Sequence, residues 1–436
     1  MFETFKRAVA EAAAFRFITF LSSDGAGYKR PDNSVEPSIV APAIYPKEGK
    51  GGIPEPIINV LSDGDFLELR TDLDSVGSQA NRFEAALDAY LAADSNLPFP
   101  RLEIRLDQET TIRGLLPPHR GADAYFKATQ DPNYFAKMFE MRVGQVLFGA
   151  DCTKLLERFP TSLVFGCWDA RDNPRARVTR LLTSRIEGIT RISAAGLEGR
   201  ETSAIKNSIK VFAGAMRQDP EIGGSCTLYP RTDAAGTSYW ELTPRNAAEK
   251  LDAEKKAKGK GAEKNPYSLA SNGLGDIIGP RSLRGVRIDY AMQTTVLSLT
   301  ALRALHFPLD GVTSTKRDRA CHVYLAALAL LAYELSAKEG YFLRSRCALV
   351  QSDHAPIRQM ISSKMDSSDL SWDHEQTDHL QTALTIYKDA VVDLAGVGIE
   401  FPRDTTMFQA RPGLTELIKK TTKNHHAAEA ANGEGE

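Results

Sequence analysis

Residues 57–87, "IINVLSDGDFLELRTDLDSVGSQANRFEAAL", change their hydrophobic period halfway along. Ile57–Leu61 and Phe66–Leu69 flank Ser62-Asp63-Gly64-Asp65, so they read as a β-hairpin with a Gly-containing turn. Beyond them Phe83, Leu87, Tyr90 and Leu91 fall at i, i+4, i+7 and i+8, one apolar face of a helix. Upstream, Phe15–Leu21 reads as a strand, and the next forty residues, rich in Gly and Pro, read as loops. Downstream, Leu102–Leu106 alternates as a strand, residues 120–160 read as mainly helical, Leu163–Trp168 as a short buried strand and Thr183–Ile189 as extended. The β-branched content of Val286–Leu299 predicts a strand. A helix at 319–337, a strand at Tyr341–Val350 and a helix at 371–395 follow; in the last, Leu380, Ala383, Leu384, Tyr387, Val391 and Leu394 share a face. Strands and helices mix without a regular βαβα rhythm, so the expected class is α+β.

The chain has 436 residues, 42% hydrophobic and 25% charged, enough to bury a substantial core. We expect a single core over 1–421. It carries a Lys- and Glu-rich mobile insertion at 246–266, and 422–436 form a disordered tail. The net charge of −2 means that any nucleic-acid site must be a local patch. Cys152, Cys167, Cys226, Cys321 and Cys347 include no C-x-x-C pair, which argues against a zinc ribbon and a disulfide scaffold. No secretory cleavage site follows the N-terminal "MFETFKRAVAEAAAF". The most apolar stretch, Val323–Leu335, falls short of the ~20 residues a bilayer needs and reads as a buried helix. The expected location is the cytoplasm, with no membrane partner.

Charge is concentrated locally. Between Arg171 and Lys210 lie seven arginines and two lysines against four carboxylates. Arg175, Arg177, Arg180 and Arg185 stand among them, and no lysine lies between Asp169 and Ile186. Arginine suits planar, bidentate recognition of carboxylate or phosphate, and a basic strip is what a backbone-tracking surface needs. A solvated loop with scattered ion pairs would carry the same charges. "DSVGSQANRFEAAL", Asp74–Leu87, gathers Ser78, Gln79, Asn81 and Arg82 at a helix start, where free N–H groups bind anions or are simply capped. The Gly-rich "SNGLGDIIGPRSLRG" holds Arg281 and Arg284 but has neither P-loop nor Rossmann spacing. In "SDLSWDHEQTDHL", His374 and Asp378 sit at i, i+4, yet no H-E-x-x-H motif occurs. No G-x-S-x-G elbow is present, and no catalytic constellation emerges. We therefore expect no enzyme, no cofactor and no resident metal. The alternative is a metal-dependent ribonuclease using the acidic and His-containing cluster at 366–379.

Several stretches together resemble one family. They are "LDSVGSQANRFEAAL", "FPTSLVFGCWDARDNPRARVTRLLTSRIEGI", "NGLGDIIGP" followed by "TTVLSLTALRALHFP", and "AALALLAYELSAKEGYFLRSRCALV", in order over roughly residues 60–355. The family is the backbone subunit of type I-G (formerly I-U) CRISPR surveillance complexes, in the Cas-seven group of the RAMP superfamily. The resemblance implies a modified RRM-like, ferredoxin-like core with large helical and loop insertions. It implies a non-catalytic protein, many copies of which line up in a helical filament along a CRISPR RNA. The implied partners are that RNA, a target DNA strand, further copies of the chain, other Cascade subunits of Cas-five and Cas-six type, and a recruited helicase-nuclease. Related subunits place a Ser-Gln pair at a helix start against the RNA backbone, which Ser78-Gln79 would match, with Arg82 one turn on. No RNP-like "GFAFV" string occurs, as suits a protein that reads phosphates and sugars and accepts any spacer. Expected RNA contacts are Ser78, Gln79, Asn81, Arg82, Arg175, Arg177, Arg180, Arg185, Arg281 and Arg284.

Overall fold

Alternation decides the central strand. In β1 (Ala14–Ser23), Phe15, Phe17, Thr19 and Leu21 are buried and the residues between them half-exposed, the period of a strand packed more heavily on one face. The computed structural model describes residues 1–23, 38–45, 55–94, 96–108, 110–117, 119–130, 151–168, 177–195, 197, 200–212, 226–232, 238–244, 283–364, 366–370, 378–402 and 404–416. Contacts divide the chain into two units, 1–202 with 288–420, and 203–287 with 421–436. The second contains a hairpin, Cys226–Thr232 paired antiparallel with Ser238–Pro244.

The first unit is built on a nine-stranded sheet. Its strands are β1, β2 (Ile58–Asp63), β3 (Phe66–Asp74), β4 (Leu182–Ser193), β5 (Tyr290–Ser298), β6 (Tyr341–Arg344), β7 (Cys347–Gln351), β8 (Ile357–Ile361) and β9 (Ser367–Asp369). The main path runs β6-β7-β1-β5-β4-β3-β2, and its neighbours are antiparallel. β7 and β8 share the other edge of β1, at Leu21–Ser23 and Ala14–Ile18 respectively, and β9 pairs with β8. Four long helices are α1 (Phe2–Glu11), α2 (Val76–Ala93), α3 (Thr315–Glu339) and α4 (His379–Ala395). The chain is thus α+β, with an antiparallel nine-stranded sheet and segregated helices. Taken alone, β1, α2, β4, β5, α3 and β7 follow one another as β-α-β-β-α-β, with spatial strand order β7-β1-β5-β4. The β2–β3 hairpin is inserted before α2 and extends the far edge.

The hairpin follows from its turn. Gly64 takes φ +58, which glycine adopts without strain, and Asp63 faces Phe66 across it. Helix α2 starts where the Ser75 side chain accepts the Ser78 N–H at 3.3 Å. α3 is the core: residues from Ala320 to Leu335 are buried on every side, against α1, α2 and α4. It is also long and apolar enough to cross a membrane, but 89% of that window is buried within the protein. The helix extends well beyond the Val323–Leu335 apolar stretch, and one polar residue of its first turn is buried too. This is Arg317, donating to the Phe307 carbonyl at 2.9 Å.

Three sequence expectations are corrected. Pro160–Phe165 is a short helix with proline in its first turn, and only Cys167–Trp168 is strand. All six helical residues are buried, so no periodicity could separate helix from strand. Tyr341–Val350 is two strands, turned at Arg346 with φ +64, and Val286–Leu299 spans the end of one strand and all of β5. The insertion at 246–266 and the tail at 422–436 lie outside the described residues.

Candidate nucleic-acid interface

The start of α2 sits on a buried polar hub. Asp74, 1% exposed and the last residue of β3, accepts from Gln79 Nε2 at 2.6 Å and Arg82 Nε at 2.9 Å, and lies 3.6 Å from Arg344 Nη2. Gln79 Oε1 accepts from Gln293 Nε2 at 2.8 Å and from the Ser184 hydroxyl at 3.2 Å, which ties α2 to β5 and β4. The remaining Arg82 nitrogens donate to the Phe342 and Leu343 carbonyls at 2.9 and 2.7 Å. Gln79 and Arg82 are therefore engaged within the fold: Gln79 is 2% exposed with both ends of its amide bonded, and Arg82 bonds through all three nitrogens. They orient the helix: Gln79 is buried within this network, while Arg82, a third exposed, keeps two N–H donors beyond the three it uses. Ser78 is half-buried and Asn81 exposed on the same turns.

A second set of contacts brings Arg180 to that helix start. Glu84 on α2 pairs with Arg120 through two contacts of 2.8 Å, both side chains being buried. Arg120 Nη1 donates to the Gly166 carbonyl at 2.9 Å. Gly166 has φ +75, and a Cβ there would come within 2.8 Å of the Val178 carbonyl and 2.9 Å of Arg180 Cγ. The Arg180 stem thus lies against Gly166. Its Nη2 reaches to 3.9 Å from where a Cβ on Gly77 would stand, in the first turn of α2. Among the described residues Arg180 has no ion-pair or hydrogen-bond partner. Burial, then the neighbouring Arg120 charge, hold its pKa below the ordinary value. A guanidinium stripped of some water and facing like charge, beside the positive end of a helix dipole, is poised for an anion.

Two predictions arise here. Gly166→Ala should destabilise the protein by about 1–3 kcal/mol, since it adds a left-handed residue and a clash against backbone. A lower urea midpoint checks it. Burial pushes the Glu84 carboxyl up to about 7, against the pull of Arg120. A carboxyl raised in the folded state binds a proton that the unfolded chain has released. Its contribution is therefore full below the ordinary carboxylate range and is lost as pH rises to about 7. Glu84→Gln should flatten the fall in stability across that window; an unchanged pH profile would show that Glu84 does not titrate there.

The other expected contacts are dispersed. Arg185 is on β4, one residue from Ser184, which faces α2; it therefore points to the opposite face of the sheet. It is half-exposed and 3.6 Å from Glu187 Oε2, which Arg70 also approaches at 3.7 Å. Arg175 and Arg281 lie outside the described residues; Arg177 and Arg284 are placed only as backbone, in strands Arg177–Val178 and Leu283–Ile288. Of the acidic and His-containing cluster, residues 371–377 lie outside the described residues, and the Asp378 carboxylate caps α4 by accepting the Gln381 N–H at 3.0 Å. Sequence reading missed Asp74, Glu84, Arg120 and Gly166. Asp74 alone carried a signal, as an acid directly before a capping Ser at a strand-to-helix junction.

The fold and this cluster define an α+β protein with a built, cation-bearing helix start. Residues 38–191 are similar to the family CRISPR-associated protein GSU0053. That stretch is about a third of the chain and contains Asp74, Ser78, Glu84, Arg120, Gly166, Arg180 and Arg185. No curated protein matches the chain.

Proposed function

We propose that this chain is the non-catalytic backbone subunit of a type I-G surveillance complex in the cytoplasm. Copies of it polymerise along the CRISPR RNA, hold the guide for pairing with a target DNA strand, and dock the other Cascade subunits and the helicase-nuclease. The carrying observation is Arg180, held beside the first turn of α2 with no counter-charge among the described residues. Phosphate fits it: a helix start supplies N–H donors and a guanidinium supplies a bidentate cation. The strand order β7-β1-β5-β4 with two crossover helices supports an RRM-like reading of the core. Ser78, Asn81 and Arg180 are the phosphate contacts at the start of α2, and Arg185 is one on the other face of the sheet; Arg175, Arg177, Arg281 and Arg284 are proposed contacts each on its own segment. Contacts of this kind ignore base identity, as a subunit serving every spacer requires.

Fluorescence anisotropy of the full chain with single-stranded RNAs of unrelated sequence tests this. Affinities should agree across sequences and fall steeply with salt. Absence of RNA binding, or tight selection of one sequence, would contradict it.

A further inference from the structure

The sheet face turned away from α2 and α3 carries a ring cluster. Phe17 and Thr19 meet Tyr333 of α3, so Phe20 points to the other face; Gln293 meets Gln79 of α2, so Tyr290 does too. On that face the Phe20 and Tyr290 rings lie 6.2 Å apart, and His354, exposed in the turn after β7, packs edge-on to Phe20 at 5.8 Å. Phe20 and Tyr290 are half-buried. Among the described residues neither the Tyr290 hydroxyl nor the His354 imidazole makes a hydrogen bond. Glu68, Arg70, Arg191 and Asp289 act electrostatically on Tyr290, Arg70 pairing with Glu68 at 2.7 Å, and half-exposed Arg185, 3.6 Å from Glu187, shares the face. Rings with unsatisfied polar tips, set among arginine–carboxylate pairs, match the flat, polar-edged face of a nucleobase better than an aliphatic protein surface.

We propose that Phe20, Tyr290 and His354 form a stacking platform for unpaired bases of a nucleic-acid strand, separate from the phosphate contacts at the start of α2. Any base offers a π-face, so the platform tolerates sequence. The inference rests on the reading of the chain as a nucleic-acid binder, and the experiment separates the two.

The test compares a labelled oligoadenylate with an abasic strand of equal phosphate count, using the full chain and its Phe20→Ala/Tyr290→Ala and His354→Ala variants. His354→Ala removes an exposed ring and preserves the fold. The platform predicts that the wild type favours the adenylate, that the double variant weakens it roughly tenfold or more, and that His354→Ala weakens it less. Binding to the abasic strand should not change. Equal wild-type affinity for both strands overturns the platform while leaving the phosphate reading standing; binding to neither overturns both. Equal loss on both strands in the variants, or loss of self-association with adenylate binding intact, also overturns it. The latter would assign the face to protein.

Discussion

Asp74→Ala should lower stability by about 3–5 kcal/mol, the cost of leaving buried partners of a charge unpaired. The carboxylate is 1% exposed and gathers one amide and two guanidinium groups. Without it the buried Gln79 Nε2 loses the acceptor it has among the described residues. Arg82 and Arg344 are each about a third exposed and recover some hydration, so they limit the loss. Asp74→Asn keeps an acceptor but not the charge, and should fall between the wild type and alanine. Urea unfolding with an unchanged slope and a lower midpoint reads this out. A wild-type midpoint for Asp74→Ala would mean that the hub does not hold α2. Because α2 is anchored here, RNA affinity should also fall in Asp74→Ala, even though Asp74 carries the wrong charge to touch phosphate. That combination separates a positioning residue from one that touches RNA.

The second large effect is on RNA itself. Arg180→Ala/Arg185→Ala should weaken binding by about tenfold for each arginine removed, as expected for hydrogen bonds to a charged group. The salt dependence should also become shallower, by about 0.7 in log–log slope per phosphate neutralised on a single strand. The weakening should be uniform across RNA sequences, since neither residue is assigned to a base. Stability should change little: both arginine side chains are exposed, and buried Glu187, 3.6 Å from Arg185, keeps Arg70 at 3.7 Å. A double variant with wild-type affinity and slope would remove both residues from the interface.

What the sequence made legible depends on where the apolar residues lie. The hairpin before α2 was readable because its turn needs Gly64 and its strands flank it directly. The α2 periodicity was readable from Phe83 and Leu87, both buried. Its polar face was not, since Gln79, Glu84 and Asp88 are buried against partners far along the chain. A polar residue at a helix start looks the same in sequence whether it caps, binds a ligand or closes an internal network. Gln79 and Ser184 lie 105 residues apart, a separation that no local pattern spans. For the same reason Arg180 could be marked as one arginine among several but not singled out. Its distinction comes from Gly166 and Arg120, which position it. Leu163–Trp168 reads as strand throughout, although Leu163–Phe165 are helical, because complete burial erases the period.

The most direct measurement is expression of the full chain with and without a CRISPR array, followed by its absorbance ratio and its mass. The guide-filament account predicts a nucleic-acid-laden species of high mass only when the array is present, with array-derived RNA inside it. A nucleic-acid-free species of the same small mass in both cells, with the partner subunits co-expressed, would contradict it.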